Sequence, residues 1–564
     1  MPDCREYIAS ENVMDLIVRH SVSNVEIKNT YEGFCPQIVN DKYVILYVES
    51  NPETMNFNNY TYANIPKLYG LMDTTAVADT GALRLQNQSS LNLTGRDVIV
   101  GIIDTGIDYR RQEFQTVTGQ TRILGIWDQT DDSGNLPEGF DFGSEYTKED
   151  INRALESDNP YEIVPSRDEN GHGTFMASVA CGTPVEQEDF EGAAPGTLIA
   201  MVKMKEAKQY LKDYYLIDGE EPVYQENDIM LALAYLRSLQ QKYNRPIVYL
   251  LGLGTGSGSR RGGTPLDQVL SNFGNYVGNC AVTCIGNEGN VRLHYSGLLR
   301  NDDMEDVELR VGENEKGFVL ELWGNAPDIF SVAFVSPLGE STARIPAKKG
   351  ASETLRFLIE ETVIQVDYAL VESGTGAELI LMRFQNPSPG IWTIRVYGNN
   401  ILSGQYNIWG NLREFTNEGV YFLKPTPEMT LTEPSATENV ISVGGYNHLN
   451  NAIYPATSRG FSADEEVKPD LVAPAVNVFG ADIGEEGYVR RTGTSVAAAL
   501  TAGCCAQMLE WGIVNDNEPY MKTNVIKNYL IRGARRDRDI VYPSTQWGYG
   551  KLDVYNSFLI LTTV

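Results

Sequence analysis

The sequence has few histidines and few basic residues. It contains four histidines in 564 residues, and its 75 acidic side chains outnumber 45 basic ones to give a net charge of −30. Such an excess of negative charge argues against nucleic acid or an anionic membrane surface as a partner. Solubility is the simplest explanation of the charge, and steering of a basic substrate is the alternative.

Cysteines and long apolar runs are also scarce. The seven cysteines, an odd number without metal-ligand spacing or a regular framework, are Cys4, Cys35, Cys181, Cys280, Cys284, Cys504 and Cys505. We expect most of them to be small buried side chains in a reducing compartment. No signal peptide is visible at the N-terminus, and no apolar run approaches the roughly 18 to 20 residues of a membrane span. These absences predict an intracellular protein without a membrane span.

Residues 1–66 are predicted to form a small α/β unit. A helix is expected near Val13 to His20 and a strand over Tyr43 to Val48. Asn- and Tyr-rich sequence over residues 51–63 then has the composition of an exposed linker.

Residues 67–291 alternate between predicted strands and helices. Short β-branched runs at 98–103, 246–252 and 281–286 are typical of buried parallel strands, and residues 228–243 have helical periodicity. The same pattern resumes over residues 431–564, beginning at Val440. This alternation predicts an α/β fold with a doubly wound parallel sheet.

Residues 292–430 change to a period of two. Candidate strands cover 307–311, 318–323, 331–335, 362–371, 391–397 and 405–409, separated by Gly, Pro and Asn clusters. The spacing predicts an inserted antiparallel β-sandwich of the jelly-roll kind. This insert could bind a substrate or a partner, or it could stiffen the rest of the protein, which we favour because no chemical motif stands out in it.

Two candidate functional residues lie in the first α/β segment. Asp104 ends the apolar run that starts at Val98, and open α/β sheets place functional groups at such strand ends. His172 has glycine on both sides and precedes a run of small and apolar residues that is typical of a buried helix. Taken alone, Asp104 more often caps a turn, and an isolated histidine is more often structural.

Two more candidates complete the groups that cutting an amide requires: a nucleophile, a base, a group that orients the base, and oxyanion donors. Ser495 opens an Ala-rich stretch, where it could be a helix N-cap or a nucleophile favoured by the helix N-terminus. Asn287 lies in a Gly-Asn-Glu-Gly segment, which by itself is a common turn signal but also offers a neutral amide donor.

The segments around Asp104, His172, Asn287 and Ser495 resemble motifs of the subtilases, the subtilisin-like serine proteases, both in sequence and in their order along the chain. The resemblance implies a subtilisin-like α/β fold, with Asp104, His172 and Ser495 as the catalytic triad and Asn287 as the oxyanion donor. Four short motifs in the same order are far more specific than any one of them.

Further segments match the same family. Residues 193–196, 458–460 and 468–474 correspond to family motifs, and Gly252, Leu253 and Gly254 resemble the segment that pairs with the substrate backbone, so an extended substrate is expected to bind by strand addition. Val496 and Ala499 replace the usual Met and Pro after the serine. We expect these changes to alter packing without loss of activity. The segment after Cys181 is too short for a common calcium loop, so no metal and no cofactor is expected.

The chain is also similar to the Csp germination proteases of spore-forming clostridia. It shares with them an N-terminus without a visible signal peptide, a β-sandwich inserted between the Asn287 and Ser495 motifs, and the sequence Gly-Thr-Ser-Val-Ala-Ala-Ala. This resemblance implies a short prodomain that is released autocatalytically and stays bound. Residues 1–66 could be that prodomain, acting as folding chaperone and inhibitor, or merely an N-terminal subdomain, and their small α/β character before an Asn- and Tyr-rich junction favours the prodomain. We predict the cut between Asn59 and Ala76.

The same resemblance implies a protein substrate, the precursor of a spore cortex hydrolase, and a location in the bacterial spore. The alternatives are a general intracellular subtilase and a catalytically silent pseudoprotease that acts as a binding or signalling module, and the complete set of triad residues disfavours the latter.

Overall fold

The fold is centred on a mixed, mainly parallel β-sheet. The structure is a computed structural model, which describes residues 4–49, 56, 59–71, 77–88, 91–219, 221–417, 419–484 and 487–561. The strands of the sheet lie in the order Ala452–Ile453, Ile441–Asn447, Asn279–Cys284, Ile247–Leu251, Ile99–Asp104, Leu198–Lys203, Ile123–Asp128 and Ser144–Thr147, and Leu471–Pro474 also pairs with Ile441–Asn447. Both neighbours of Ile99–Asp104 run parallel to it, whereas the two edge strands are antiparallel. The strands predicted from apolar runs are confirmed.

Helices cover both faces of this sheet. They span Ala82–Asn87, Lys148–Leu155, His172–Cys181, Gln209–Tyr214, Glu226–Tyr243, Pro265–Gly274, Thr494–Leu509, Thr523–Gly533 and Val554–Leu561. Within the strand Ile99–Asp104, Val100 and Ile102 share a core with the helices that begin at His172 and Thr494. Ile99 and Ile103 share the opposite core with the helices that begin at Glu226 and Pro265. The sheet is therefore buried on both faces, as its continuous apolar strands predict.

The helix that begins at Thr494 is unusually apolar. It continues through a π-helical turn at Glu510–Val514, and Thr494–Val514 is long and apolar enough by composition to cross a membrane. However, 89% of its most apolar stretch is buried inside the protein. Its composition is therefore explained by its position in the core.

The N-terminal unit contains an antiparallel sheet, and the predicted helix near Val13 to His20 is wrong. Residues Val13–Arg19 form a strand that pairs with Tyr43–Glu49, which also pairs with Gln37–Ile38. The helices in this unit are Cys4–Ala9 and Asn24–Thr30. Pairing with a distant β-branched segment overrides the helix-like spacing of apolar residues in this stretch.

The cysteines divide into one pair and a buried set. Cys4 and Cys35 form a disulfide bond with a Cα–Cα distance of 5.5 Å, which the spacing along the chain did not indicate. The buried free thiols are Cys181, Cys280, Cys284, Cys504 and Cys505, as expected for small core residues. Burial raises the pKa of the Cys284 thiol to about 12, so it is inert as a nucleophile at neutral pH.

Two antiparallel sheets form the inserted β-structure. One sheet has the order His294–Leu298, Gln405–Gly410, Gly317–Gly324, Glu378–Gln385, Val363–Ala369 and Ser352–Arg356; the other has Ile329–Val335, Gly390–Asn400, Met304–Val311 and Tyr421–Phe422. Both sheets contribute to a shared apolar core that includes Leu309, Leu322, Phe334, Phe384 and Trp392. The candidate strands between residues 307 and 409 are thus confirmed as strands of a sandwich, with small shifts at their ends.

Candidate active site

Three side chains from distant parts of the chain meet at the carboxyl end of the central strand Ile99–Asp104. The Nδ1 atom of His172 lies 2.8 Å from Oδ1 and 3.0 Å from Oδ2 of Asp104. The Nε2 atom of His172 lies 3.3 Å from Oγ of Ser495. All three side chains are buried. The imidazole is therefore between a carboxylate that can hold one tautomer and a hydroxyl whose proton it can accept.

Each of these residues sits at the end of a regular element. Asp104 is the last residue of the strand Ile99–Asp104, His172 is the first residue of one helix, and Ser495 is the second residue of another. The close approach of the helix to the strand end depends on Gly173, because a Cβ atom there would lie 2.2 Å from the carbonyl oxygen of Gly106. The glycine after the histidine is therefore required by packing.

Asp168 connects the two elements that carry Asp104 and His172, and the sequence analysis did not identify it. Its Oδ1 atom accepts hydrogen bonds from Thr105 Oγ1 and from the Gly171 N–H, both at 2.8 Å. Its Oδ2 atom accepts from the N–H of Thr174 at 2.8 Å and from its hydroxyl at 2.7 Å. A carboxylate at a helix N-terminus satisfies otherwise unpaired N–H groups, so Asp168 fixes where the histidine helix begins.

Asn287 lies beside the serine helix. Its Oδ1 atom accepts from the N–H of Thr494 at 3.2 Å and from the Thr494 hydroxyl at 3.3 Å. The neighbouring loop is held by Ser458, whose hydroxyl accepts from the N–H of Glu288 at 3.0 Å. The carbonyl end of the Asn287 amide is thus bound to Thr494, and its NH₂ end is the donor that stabilisation of an oxyanion near Ser495 requires.

A groove beside these residues is filled by the chain itself. The strand Leu68–Leu71 lies between Leu253–Gly254 and Tyr224–Gln225 and is antiparallel to both. Leu71 pairs with Leu253 and Gly70 pairs with Gly254, so the strand runs toward Gly252. A Cβ atom at Gly252 would lie 3.4 Å from both Asp104 Oδ2 and His172 Cε1. Leu253 and Gly254 of the predicted segment thus pair with an extended strand of the chain itself, and Gly252 lies beside Asp104 and His172.

An open cleft of about 400 Å³ also borders His172. Its walls are formed by Asn170, Asn287, Glu288, Arg413, Glu414, Tyr454, Ala456, Arg491 and Thr492. Partial burial raises the pKa of Glu288 to about 7, opposed by a hydrogen bond from the Arg413 N–H. Arg413 and Glu414 follow the last long strand of the sandwich, so the insert contributes to the wall of this cleft. None of the described residues form a group of three or more His, Cys, Asp or Glu side chains able to hold a metal ion.

Comparison with known proteins identifies the family of this chain. The chain belongs to the subtilase family, whose model matches residues 95–302 and 409–550. It is similar to the CspB protease of Clostridium perfringens, with 32% identity and a TM-score of 0.76 over 86% of this chain and 97% of that one.

Two plant proteases are more distant relatives. Subtilisin-like protease SBT3.6 of Arabidopsis thaliana is 22% identical over 490 residues, covering 78% of this chain and 60% of that protein. Subtilisin-like protease SBT3.4 of the same plant is 23% identical over 503 residues with the same two coverages. The chain therefore spans about 60% of the length of these relatives.

Proposed function

We propose that the chain is a serine endopeptidase that acts through an acyl-enzyme. The observation that carries this proposal is the position of His172, within hydrogen-bonding reach of both Asp104 and Ser495. Ser495 Oγ attacks the scissile carbonyl, His172 accepts its proton and later passes it to the leaving amine, and Asp104 holds the imidazole in the required tautomer. The Asn287 amide and the Ser495 N–H stabilise the oxyanion.

The N-terminal unit is proposed to be a prodomain that the enzyme removes from itself. The groove strand Leu68–Leu71 supports this, because it occupies the place of a substrate and leads toward the triad. The prodomain then extends beyond residue 66, and the cut falls between Leu71 and Ala76; residues 72–76 of the predicted interval lie outside the described residues. The catalytic domain then comprises residues 431–564 and the part of residues 67–291 that follows the cut, with the sandwich, 292–430, as a jelly-roll insert.

The physiological substrate is proposed to be a protein precursor, specifically that of a spore cortex hydrolase cut during germination. Similarity to the CspB protease supports this choice. The cleaved prodomain stays bound, and the enzyme acts inside the bacterial spore. The disulfide Cys4–Cys35 is uncommon for a reducing compartment, so non-reducing mass measurement of the protein from spores tests the proposed location.

The decisive test compares the purified protein with its Ser495→Ala variant by mass spectrometry. The unaltered chain should separate into two fragments cut between Leu71 and Ala76, and the variant should remain intact, with a loss of activity of about 10⁴-fold or more. Ser341→Ala, at an exposed serine in the sandwich, is the matched control and should process normally. Self-cleavage by Ser495→Ala at the original rate would exclude the assignment.

A further inference from the structure

A closed pocket between the β-sandwich and the α/β part of the protein holds the side chain of Tyr62. The ring is 5% exposed and packs edge-on against Trp323, with 5.5 Å between the ring centres. The apolar walls are completed by Ala377, Leu379 and Trp409. We call this site the tyrosine pocket, defined by Glu321, Trp323, Leu379 and Trp409.

The polar end of the tyrosine pocket is a buried carboxylate. The Tyr62 hydroxyl lies 2.9 Å and 3.0 Å from the two oxygens of Glu321, and Glu321 is 2% exposed. The N–H of Gly258 and Nε1 of Trp323 also donate to Glu321, each at 2.9 Å. Burial and the neighbouring carboxylate raise the pKa of Tyr62, so the phenol keeps its proton and remains the donor. Gly258 and Trp323 hold the carboxylate in place, and the phenol completes its hydrogen bonds.

The tyrosine pocket and the substrate groove are occupied by one continuous segment. Between them, the Lys67 ammonium donates to the carbonyls of Tyr62 at 2.8 Å and Ile65 at 3.0 Å. It also lies 3.4 Å from Glu226, and both side chains of this pair are fully buried. The segment therefore reaches from the pocket into the groove in one fixed conformation that ends in the strand Leu68–Leu71.

The composition of the pocket favours selection over simple packing. An apolar site would hold the segment at least as firmly as a buried carboxylate, because burying a charge costs free energy that its partners must offset. A site built to hydrogen-bond a hydroxyl rejects the analogue that lacks it, since the buried partner is then left unpaired. Glu321 therefore distinguishes tyrosine from phenylalanine.

We propose that the tyrosine pocket is an exosite that selects protein substrates carrying a tyrosine ahead of the segment that enters the groove, with Tyr62 as the occupant supplied by the chain itself. This inference rests on the proposed protease function. All residues that define the pocket are C-terminal to the predicted cut, whereas Tyr62 is N-terminal to it. After cleavage the pocket therefore stays with the enzyme, whereas Tyr62 belongs to the bound prodomain, so a substrate tyrosine enters the pocket by displacing Tyr62.

A pair of peptides tests the exosite. The processed enzyme is given a peptide of residues 59–76 of this chain, or the same peptide with Tyr62→Phe, and kcat/KM is measured for each. The tyrosine peptide should be cut about 10-fold faster or more, and the enzyme variant Glu321→Gln should lose most of that preference. Equal rates for the two peptides in the unaltered enzyme overturn the exosite and leave the protease function standing.

A second measurement does not depend on catalysis. In a Ser495→Ala chain, Tyr62→Ala empties the pocket, and p-cresol or toluene is added as a probe of its chemistry. We expect p-cresol to raise the melting temperature more than toluene, and Glu321→Gln to remove the difference. Equal shifts overturn the proposal. If neither peptide is cut, the protease function fails, and the p-cresol result alone then decides whether the pocket recognises a phenol. The peptide comparison is unaffected if the Tyr62→Ala chain does not fold.

Discussion

The carboxylate of Asp15 and the ammonium of Lys208 lie 2.7 Å apart although 193 residues separate them in the chain. Both side chains are buried. Asp15 also accepts hydrogen bonds from the amides of Gln225 and Asn227, each at 2.8 Å. Because Asp15 belongs to the N-terminal sheet and its partners precede or begin the helix Glu226–Tyr243, this cluster docks the N-terminal unit on the rest of the protein.

Asp15→Ala should loosen that docking. The change leaves the Lys208 charge buried without its partner, which typically costs about 3–5 kcal/mol. In a Ser495→Ala chain, which keeps both units in one polypeptide, urea unfolding should show an N-terminal unit destabilised by about that amount. Asp41→Ala, at an exposed position of the same unit, is the control and should change little. Identical unfolding of the two variants contradicts the role given to Asp15.

Asp168→Ala should lower the rate of catalysis more than substrate binding. Without this carboxylate, the N–H groups of Gly171 and Thr174 lose their acceptor and the imidazole of His172 is less well held. Since small displacements of a catalytic group are costly, kcat should fall about 10- to 100-fold while KM changes little. The exposed neighbour Glu169 supplies the control variant Glu169→Ala. A rise in KM at constant kcat would assign Asp168 to substrate binding.

Local sequence was sufficient where one short segment carries the signal. Asp104 follows an apolar run that forms its strand, and glycine neighbours mark His172 as the start of a helix. The strands Ser352–Arg356 and Glu378–Gln385 were not predicted, but the six other strands between residues 304 and 410 were, because turn residues separate them. In each case the structure follows from residues adjacent in the chain.

Features that depend on distant contacts were not predictable in this way. The segment Val13–Arg19 is a strand because Tyr43–Glu49 pairs with it, and Cys4 finds Cys35 only in the folded unit. Asp168 has no motif of its own, since its partners are backbone groups positioned by two separate elements. An acidic residue shortly before a glycine-flanked histidine was the available signal, and by itself it does not distinguish a cap from a surface charge.

The sandwich should lose stability as the pH rises, because of Glu378. Burial raises its pKa to about 8, opposed by the Phe330 N–H and reinforced by Asp328. The Glu378 carboxyl therefore holds its proton more tightly in the native state than in the unfolded chain. The stabilisation that this proton gives is full at acidic pH and is lost as the pH rises through about 8.

Urea unfolding at pH 5 and pH 9 measures this effect. Between pH 5 and pH 9, the free energy of unfolding of the unaltered protein should fall by at least about 1–2 kcal/mol more than that of the Glu378→Gln variant. Glu353→Gln removes an exposed carboxyl from a neighbouring region of the same sheet and should behave like the unaltered protein. A Glu378→Gln variant with undiminished pH dependence would show that another group is responsible.

Thr432 should limit the size of the substrate side chain next to the cut. A Cβ atom at Gly254 would lie 2.5 Å from Thr432 Oγ1, and one at Gly286 would lie 2.5 Å from its Cγ2. The threonine side chain therefore fills the space between the strand Leu253–Gly254 and the loop that carries Asn287. Its hydroxyl is buried and has no hydrogen-bond partner among the described residues. A substrate that pairs with Leu253 and Gly254 as residues 70 and 71 do continues past Gly252 toward His172, and we expect the side chain before the cut to enter the space beside Thr432.

Thr432→Gly should enlarge this site and shift the preference toward larger side chains. The measurement is a competition between two peptides that differ only at the residue before the cut, which is aromatic in one and alanine in the other. The ratio of kcat/KM for the aromatic over the alanine peptide should be about 10-fold or more higher in the variant than in the unaltered enzyme, because one or two methyl groups change discrimination by that order. Thr432→Ser removes the methyl group, keeps the hydroxyl and should give an intermediate preference. If all three proteins rank the peptides identically, the side chain next to the cut does not contact Thr432.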